Sequence, residues 1–232
     1  MPNVPFVIAI DGPAASGKST VGKRVAEELG FLLFDTGALY RAVTLAALRR
    51  GIPIQEEDRI ADLARTIHIE ILPATVADGR SYTVLVDGED VTWAIRGEDV
   101  DAHVSVVSAY PGVREALKHQ QRRIARQGRV VMAGRDIGTV VFPEAPLKVY
   151  LDASPEVRAR RRCEELRSRG EDADFAQILA AVRRRDAIDS TRATAPLRIA
   201  EDAMVIHTDE MSIEDVVDTI VALARERLKD PA

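Results

Sequence analysis

The sequence predicts an α/β fold in which a parallel β-sheet is wrapped by helices, with a small antiparallel insertion in the middle of the chain. Three observations lead there. Short β-branched and apolar runs alternate with longer helical patterns, the rhythm of βαβ units. A glycine-rich loop directly follows the first of these runs and opens the first helical pattern. In the insertion the rhythm changes to residue-by-residue alternation, the period of strands with one covered face.

Each element has its own signal. "FVIAI" (6–10) is an unbroken apolar run, as a strand covered on both faces requires, and a helix is expected from about Lys18. "FLLF" (31–34) predicts a second strand, followed by a helix from Gly37 through Arg49. "IHIEILP", "SYTVLV" and "EDVTWAI" then read as antiparallel strands joined by turns at Asp78-Gly79 and Asp87-Gly88, dipeptides that tolerate positive φ. A helix from near Gly112 returns the chain to the core, with Gly128 expected as its C-cap. Parallel strands resume with "RVVMA" (129–133), "LKVYL" (147–151) and "AMVIH" (203–207). Ser154-Pro155-Glu156 supplies an N-cap, a first-turn proline and an early acid, and Ser212 through Asp215 does the same for the last helix.

With 46% hydrophobic and 30% charged residues, the 232-residue chain has the composition of an ordinary globular protein. We expect a single domain over 1–232, with an insertion at about 64–112. A net charge of −5 argues against nucleic-acid binding, which needs a basic surface, so local basic clusters point to small anions. Cys163 is the single cysteine, which suits a reducing cytoplasm; it is read as filler on a helix or in the core. No leader and no membrane-spanning run is read, and no membrane partner is expected.

Chemistry enters with "GPAASGKS", which fits G-x-x-x-x-G-K-[ST] between a strand and a helix. The loop comprises Gly12, Pro13, Ala14, Ala15, Ser16 and Gly17, and continues into Lys18, Ser19 and Thr20. Its amides and the helix N-terminus are expected to cradle the phosphates of ATP, with Lys18 reaching the β- and γ-phosphates and Ser19 ligating Mg²⁺. A guanine-reading N-K-x-D and an L-S-G-G-Q signature are both missing from the sequence. A small-molecule kinase should instead show a second anion site and an arginine-rich lid.

Candidates for both exist. "DTGALYR", "VREAL", "AGRDIGT" and "RRRDAIDSTR" place Arg41, Arg114, Arg135, Arg185 and Arg192 in clusters, and arginine suits planar, bidentate recognition of phosphates and bases. Arg135 and Asp136 follow a strand end, where ligands collect in open parallel sheets. On a helix Arg185, Asp189 and Arg192 share one face, with Arg183 and Arg184 left in solvent. In "PEVRARRRCEELRSRGED", a lid at about 156–173, Arg158, Arg161 and Arg162 can present their guanidinium groups together; with no anion between them they should repel. Tyr40 either lines the acceptor pocket or packs its helix on the core. Trp93 is read as a packing anchor, and His68, His103, His119 and His207 lack metal-ligand spacing.

On these residues the chain closely resembles the bacterial-type cytidylate (CMP) kinases, in register through "DGPAASGKST", "DTGALYR", "VREAL", "GRDIGTVVFPEAPLKVYLDAS", "ARRR" and "RRDAIDSTRATAPL". The resemblance implies a P-loop kinase with five parallel strands, a CMP-binding insertion, a mobile lid, and transfer of the γ-phosphoryl group of ATP to CMP or dCMP, assisted by Mg. By position it places Thr36, Arg114, Asp136 and Arg192 around cytosine and Ser105, Arg185 and Asp189 around the sugar. Arg41 and Arg135 fall on the acceptor phosphate, and Arg158 and Arg162 in the phosphate-binding lid. The protein is expected to work as a monomer on small-molecule substrates in the cytoplasm.

Cytosine supports these roles chemically: its N4 amino group suits a carboxylate such as Asp136, and its N3 and O2 suit a donor such as Arg114. One departure stands out, because the family usually carries an acid just before Gly-Arg-Asp, where this chain has Ala133. Asp35 or Asp11 is expected to take over the support of Mg²⁺. The rival readings are a P-loop kinase for another nucleoside monophosphate or small phosphate acceptor, and a nucleotide-binding regulator without catalysis.

Overall fold

The computed structural model describes residues 6–126, 128–168 and 170–229. Its central strand β1 (Phe6–Asp11) is buried along its whole length, as the uninterrupted apolar run requires. Helix α1 (Lys18–Leu29) follows the glycine-rich loop, and then come β2 (Leu32–Asp35) and α2 (Gly37–Arg49). Later in the chain β6 (Arg129–Gly134), β7 (Leu147–Asp152) and β8 (Met204–His207) complete a five-stranded sheet in the order β2-β6-β1-β7-β8. Every pair in it is parallel. Because β1 is flanked by β6 and β7, its loop opens in the middle of the sheet's C-terminal edge.

Between α2 and β6 lie α3 (Glu57–Thr66), the strands β3 (Ile69–Pro73), β4 (Tyr82–Val86) and β5 (Glu89–Asp90), α4 (Glu98–Val107) and α5 (Pro111–Ala125). The three strands form the expected small antiparallel sheet. Asp87 (φ 51°) and Gly88 (φ 85°) make its tight turn, both in the left-handed region that a two-residue hairpin needs. Its third strand is shorter than "EDVTWAI" suggests. Asp90 accepts from the backbone N–H and hydroxyl of Thr92, which bends the chain into a 3₁₀ turn at Ala94–Arg96. Trp93 is therefore not a packing anchor: it is 50% exposed, donates from Nε1 to Asp78 and lies against Arg96.

The remaining helices are α6 (Pro155–Ser168), α7 (Phe175–Thr191) and α8 (Ile213–Lys229). Ser154 caps α6 through Val157 N–H, and Ser212 exchanges hydrogen bonds with Asp215 in a capping box. Arg126, not Gly128, caps α5; Gly128 accepts from Phe6 N–H and leads into β6. Gln127 of the expected helix and Arg169 of the expected lid lie outside the described residues. One apolar cluster joins the main sheet to the insertion, through residues such as Ile69, Val84 and Ile95, so the two share a core. Cys163 is buried in α6 as core filler, and among the described residues no helix is long and apolar enough to cross a membrane.

Candidate active site

The phosphate loop has the backbone its glycines allow. Gly12 (φ 149°) lies so close to β7 that a Cβ there would run into the carbonyl oxygen of Leu151. Ala15 (φ 59°) and Gly17 (φ 94°) turn the loop back over itself, and α1 begins at Lys18 with its N-terminal amides facing the loop. Lys18 is buried and donates from Nζ to Pro13 O at 2.5 Å and to Ser16 Oγ at 3.3 Å. Burial, reinforced by Arg135, holds its ammonium well below its usual range. A cation kept this dry gains from an arriving anion.

Beside it Ser19 Oγ donates to Asp35 Oδ2 at 2.7 Å, and Gly37 N–H fixes the other oxygen of that carboxylate at 3.0 Å. Asp35 ends β2 and pairs in register with Ala133 of β6, so it stands across from the position that lacks an acid. Asp11 does a different job. Its two oxygens accept from Ile137 and Gly138 N–H, both at 2.8 Å, which pins the turn immediately after Arg135-Asp136. Of the two candidates for metal support, Asp35 has a carboxylate turned to Ser19 and Asp11 is spent on the backbone. A hydroxyl and a carboxylate are hard oxygen donors of the kind Mg²⁺ takes.

The arginine clusters converge on the same cleft of about 1180 Å³, larger than the roughly 300–1,000 Å³ usual for one small ligand. Arg114 from α5 and Asp136 after β6 form a buried pair, Nη2 to Oδ2 at 2.5 Å, with Tyr40 of α2 under the guanidinium at 5.3 Å. Tyr40 is buried and accepts from Gln121 Nε2 at 3.4 Å, so it both packs and lines the cleft. Thr36 is buried against β6, donating to Ala133 O at 2.9 Å. Gly134 permits that closeness, since a Cβ there would meet Thr36 Oγ1 at 2.8 Å.

Helix α7 closes one side. Asp189 is buried and accepts from Arg135 Nε at 2.9 Å; burial alone would raise its pKa, but Arg135, with Arg185 and Arg192, outweighs burial and lowers it. Arg192, just past the helix end, lies 3.5 Å from Asp189 and 3.6 Å from Asp136. Burial, with Arg114 adding to it, pushes the Arg192 guanidinium below its ordinary value. Arg185 is pushed down to about 10, first by burial and then by Arg135. Arg114 Nε, Arg185 Nε and Arg192 Nη2 are buried without hydrogen-bond partners, so the cleft holds donors awaiting acceptors. Ser105 lines the cleft from α4; Arg183 is exposed as expected, whereas Arg184, though exposed, borders the cleft and is not simply left in solvent.

The lid arginines differ from the expected mutually repelling face. Arg158 is 3% exposed and grips Asp186 of α7 with both Nη atoms at 2.9 and 2.6 Å, and it also donates to Ala14 O of the phosphate loop at 3.2 Å. Arg161 donates to the hydroxyl and carbonyl of Thr208. Arg162 pairs with Glu165 at 2.7 Å and Asp101 of α4 at 3.1 Å, and Arg41 reaches the same Asp101. Each guanidinium thus has its own acceptor, and repulsion between them is offset. Asp186 and Asp101 escaped the sequence reading because each lies far in sequence from the arginine it serves. The presence of two aspartates in "RRRDAIDSTR" was the one available signal for Asp186.

The family profile described as cytidylate kinase matches residues 8–226. The chain is 51% identical over 219 residues to the cytidylate kinase of Herpetosiphon aurantiacus, covering 94% of each. It is 51% identical over 218 residues to that of Chloroflexus aggregans, covering 94% of this chain and 93% of the relative. A solved gluconokinase from Sinorhizobium meliloti 1021, 16% identical, superposes over 99% of each chain with a TM-score of 0.50, a likeness of fold alone. With the profile spanning nearly all of its length and such relatives matching over more than nine-tenths of both chains, the chain belongs to the cytidylate kinase family.

Proposed function

We propose that this protein transfers the γ-phosphoryl group of ATP to CMP and dCMP. The observation that carries this reading is the buried Arg114–Asp136 pair, flanked by the unpartnered N–H groups of Arg114 and Arg192, beside a phosphate loop. A carboxylate beside free donors matches the N4 amino group and the N3 and O2 acceptors of cytosine. Uracil would set its O4 against the carboxylate, a mismatch costing about 1–3 kcal/mol or more. Thr36 and Arg192 complete the base site in this reading; Ser105, Arg185 and Asp189 hold the sugar, and Arg41 and Arg135 the acceptor phosphate.

Little proton chemistry is required. A phosphate monoester has its second pKa near 6, so the acceptor is already largely dianionic at neutral pH and attacks without a general base. Residues 12–20 hold the ATP phosphates, Lys18 carries positive charge to the β- and γ-positions, and Arg158 ties the lid to the phosphate loop. Arg41 and Arg135 keep the attacking oxygen in line, which turns alignment into rate. Mg²⁺ supplies charge neutralisation on the β- and γ-phosphates when bound, and Ser19 and Asp35 are the side chains that fit it.

The whole chain acts as one kinase domain in this reading, with 64–112 as the acceptor-binding insertion and 156–173 as the lid. It works in the cytoplasm as a monomer, with Cys163 reduced. Lys18→Ala tests the chemistry: turnover should fall by about 10³-fold or more while the fold persists. Near-wild-type turnover in a coupled ADP assay would contradict it.

A further inference from the structure

Asp101 belongs to the acidic first turn of α4, together with Glu98 and Asp99. Unlike Glu98, which faces solvent, it turns inward and divides its two oxygens between two arginines. Oδ1 accepts from Arg41 Nη2 at 2.5 Å, and Oδ2 accepts from Arg162 Nη2 at 3.1 Å. The two arginines come from α2 and from the lid helix α6. Arg41 is further held by Ile95 O at 3.0 Å, directly upstream of α4. The arrangement copies what a phosphate does: two oxygens on one centre, each taking a charge-assisted hydrogen bond from a separate guanidinium.

We propose that Asp101 is a resident anion that competes with substrate phosphates for Arg41 and Arg162. The idea rests on the reading above, in which these two arginines hold the acceptor phosphate and the lid side of the transferring group. A carboxylate carries one charge and a nucleotide phosphate about two, so a dianion on the same arginines outweighs Asp101 while a weakly held monoanion does not. Asp101 therefore keeps both arginines in place and offsets part of their charge, alongside Glu165 on Arg162 at 2.7 Å, and sets a threshold against small monoanions. Its side chain is 30% exposed, so the exchange takes place at the wall of the cleft and does not uncover a buried charge.

The probe is inorganic sulfate, measured by calorimetry and as an inhibitor competing with CMP at fixed ATP. Asp101→Asn and Asp101→Ala should each tighten sulfate at least about fivefold and lower the KM for CMP, whereas Glu98→Gln, one turn away with the same loss of charge, should not. Unchanged or weaker sulfate binding in both Asp101 variants would overturn the proposal, as would equal tightening in Glu98→Gln. If either Asp101 variant folds poorly, Asp101→Glu, which keeps the charge, should stay within about twofold of wild type, and tightening there would count against it. Arg41→Ala separates the two levels. Sulfate inhibition undiminished in that variant refutes the assignment of Arg41 to the acceptor phosphate, and the proposal with it; inhibition lost there but insensitive to Asp101 refutes the proposal alone.

Discussion

Asp136 meets three demands at one position: it neutralises Arg114, lies near Arg192 and presents a carboxylate to the cleft. Asp136→Ala should therefore reduce the preference for CMP over UMP by about tenfold or more, within the 1–3 kcal/mol expected for a mismatched buried pair. Competition kinetics with the two acceptors measure it, and undiminished discrimination would be incompatible with the base assignment. Asp35 and Ala133 are cross-strand neighbours, and the metal role proposed for Asp35 has a direct test. Asp35→Asn should raise the Mg²⁺ concentration needed for half-maximal turnover several-fold. Adding Ala133→Asp to it should recover most of the loss; a double variant no better than the single one would remove Asp35 from the metal's surroundings.

At the scale of elements, the turn after β6 is held by β1 through Asp11 and its two backbone amides. Asp11→Asn replaces one acceptor by a donor facing an N–H, so stability should fall by about 1–3 kcal/mol and the KM for CMP should rise as Arg135 and Asp136 lose their support. Burial raises the Asp11 carboxyl from 3.8 to about 6, against the pull of the two amides. The folded chain thus binds this proton more readily than the unfolded one. The stability it gives is complete below about pH 4 and lost as the pH rises through about 6. Melting curves from about pH 5 to about pH 7.5 should show wild type losing stability relative to Asp11→Asn as pH rises, and the opposite trend would contradict the account. Helix α7 carries "RRRDAIDSTR", whose inward face was legible from its spacing for Arg185 and Asp189; Arg183 stays outside, but Arg184, expected in solvent, also borders the cleft. Asp189→Ala should weaken CMP use by about tenfold while ATP binding, measured by calorimetry, stays nearly intact. What spacing cannot give is the partner across the cleft. Asp186 for Arg158 and Asp101 for Arg41 are tertiary pairs 28 and 60 residues apart, and no local pattern encodes them.

For the whole molecule, the parallel sheet and the phosphate loop were legible because β-branched runs, glycines and capping residues act locally. The parallel pairing of all five strands, and the loop set between β1 and α1, bear that reading out. The insertion was legible in part. Its hairpin followed from Asp87-Gly88, but α3 and α4 have no counterpart among the elements expected from the sequence, and the strand expected at "EDVTWAI" is cut short by the Asp90–Thr92 bonds. The cleft joins all of these, because the C-terminal edge of the sheet, α4, α6 and α7 all contribute to it. Its chemistry, cationic donors distributed around Asp136, is selective only if those donors act together on one acceptor. A single coupled assay with ATP, Mg²⁺ and a panel of CMP, dCMP, UMP, AMP and shikimate tests that directly. The account predicts CMP and dCMP turned over with a kcat/KM at least about tenfold above the other three; equal or better turnover of any other acceptor, or none of the five phosphorylated, would contradict it.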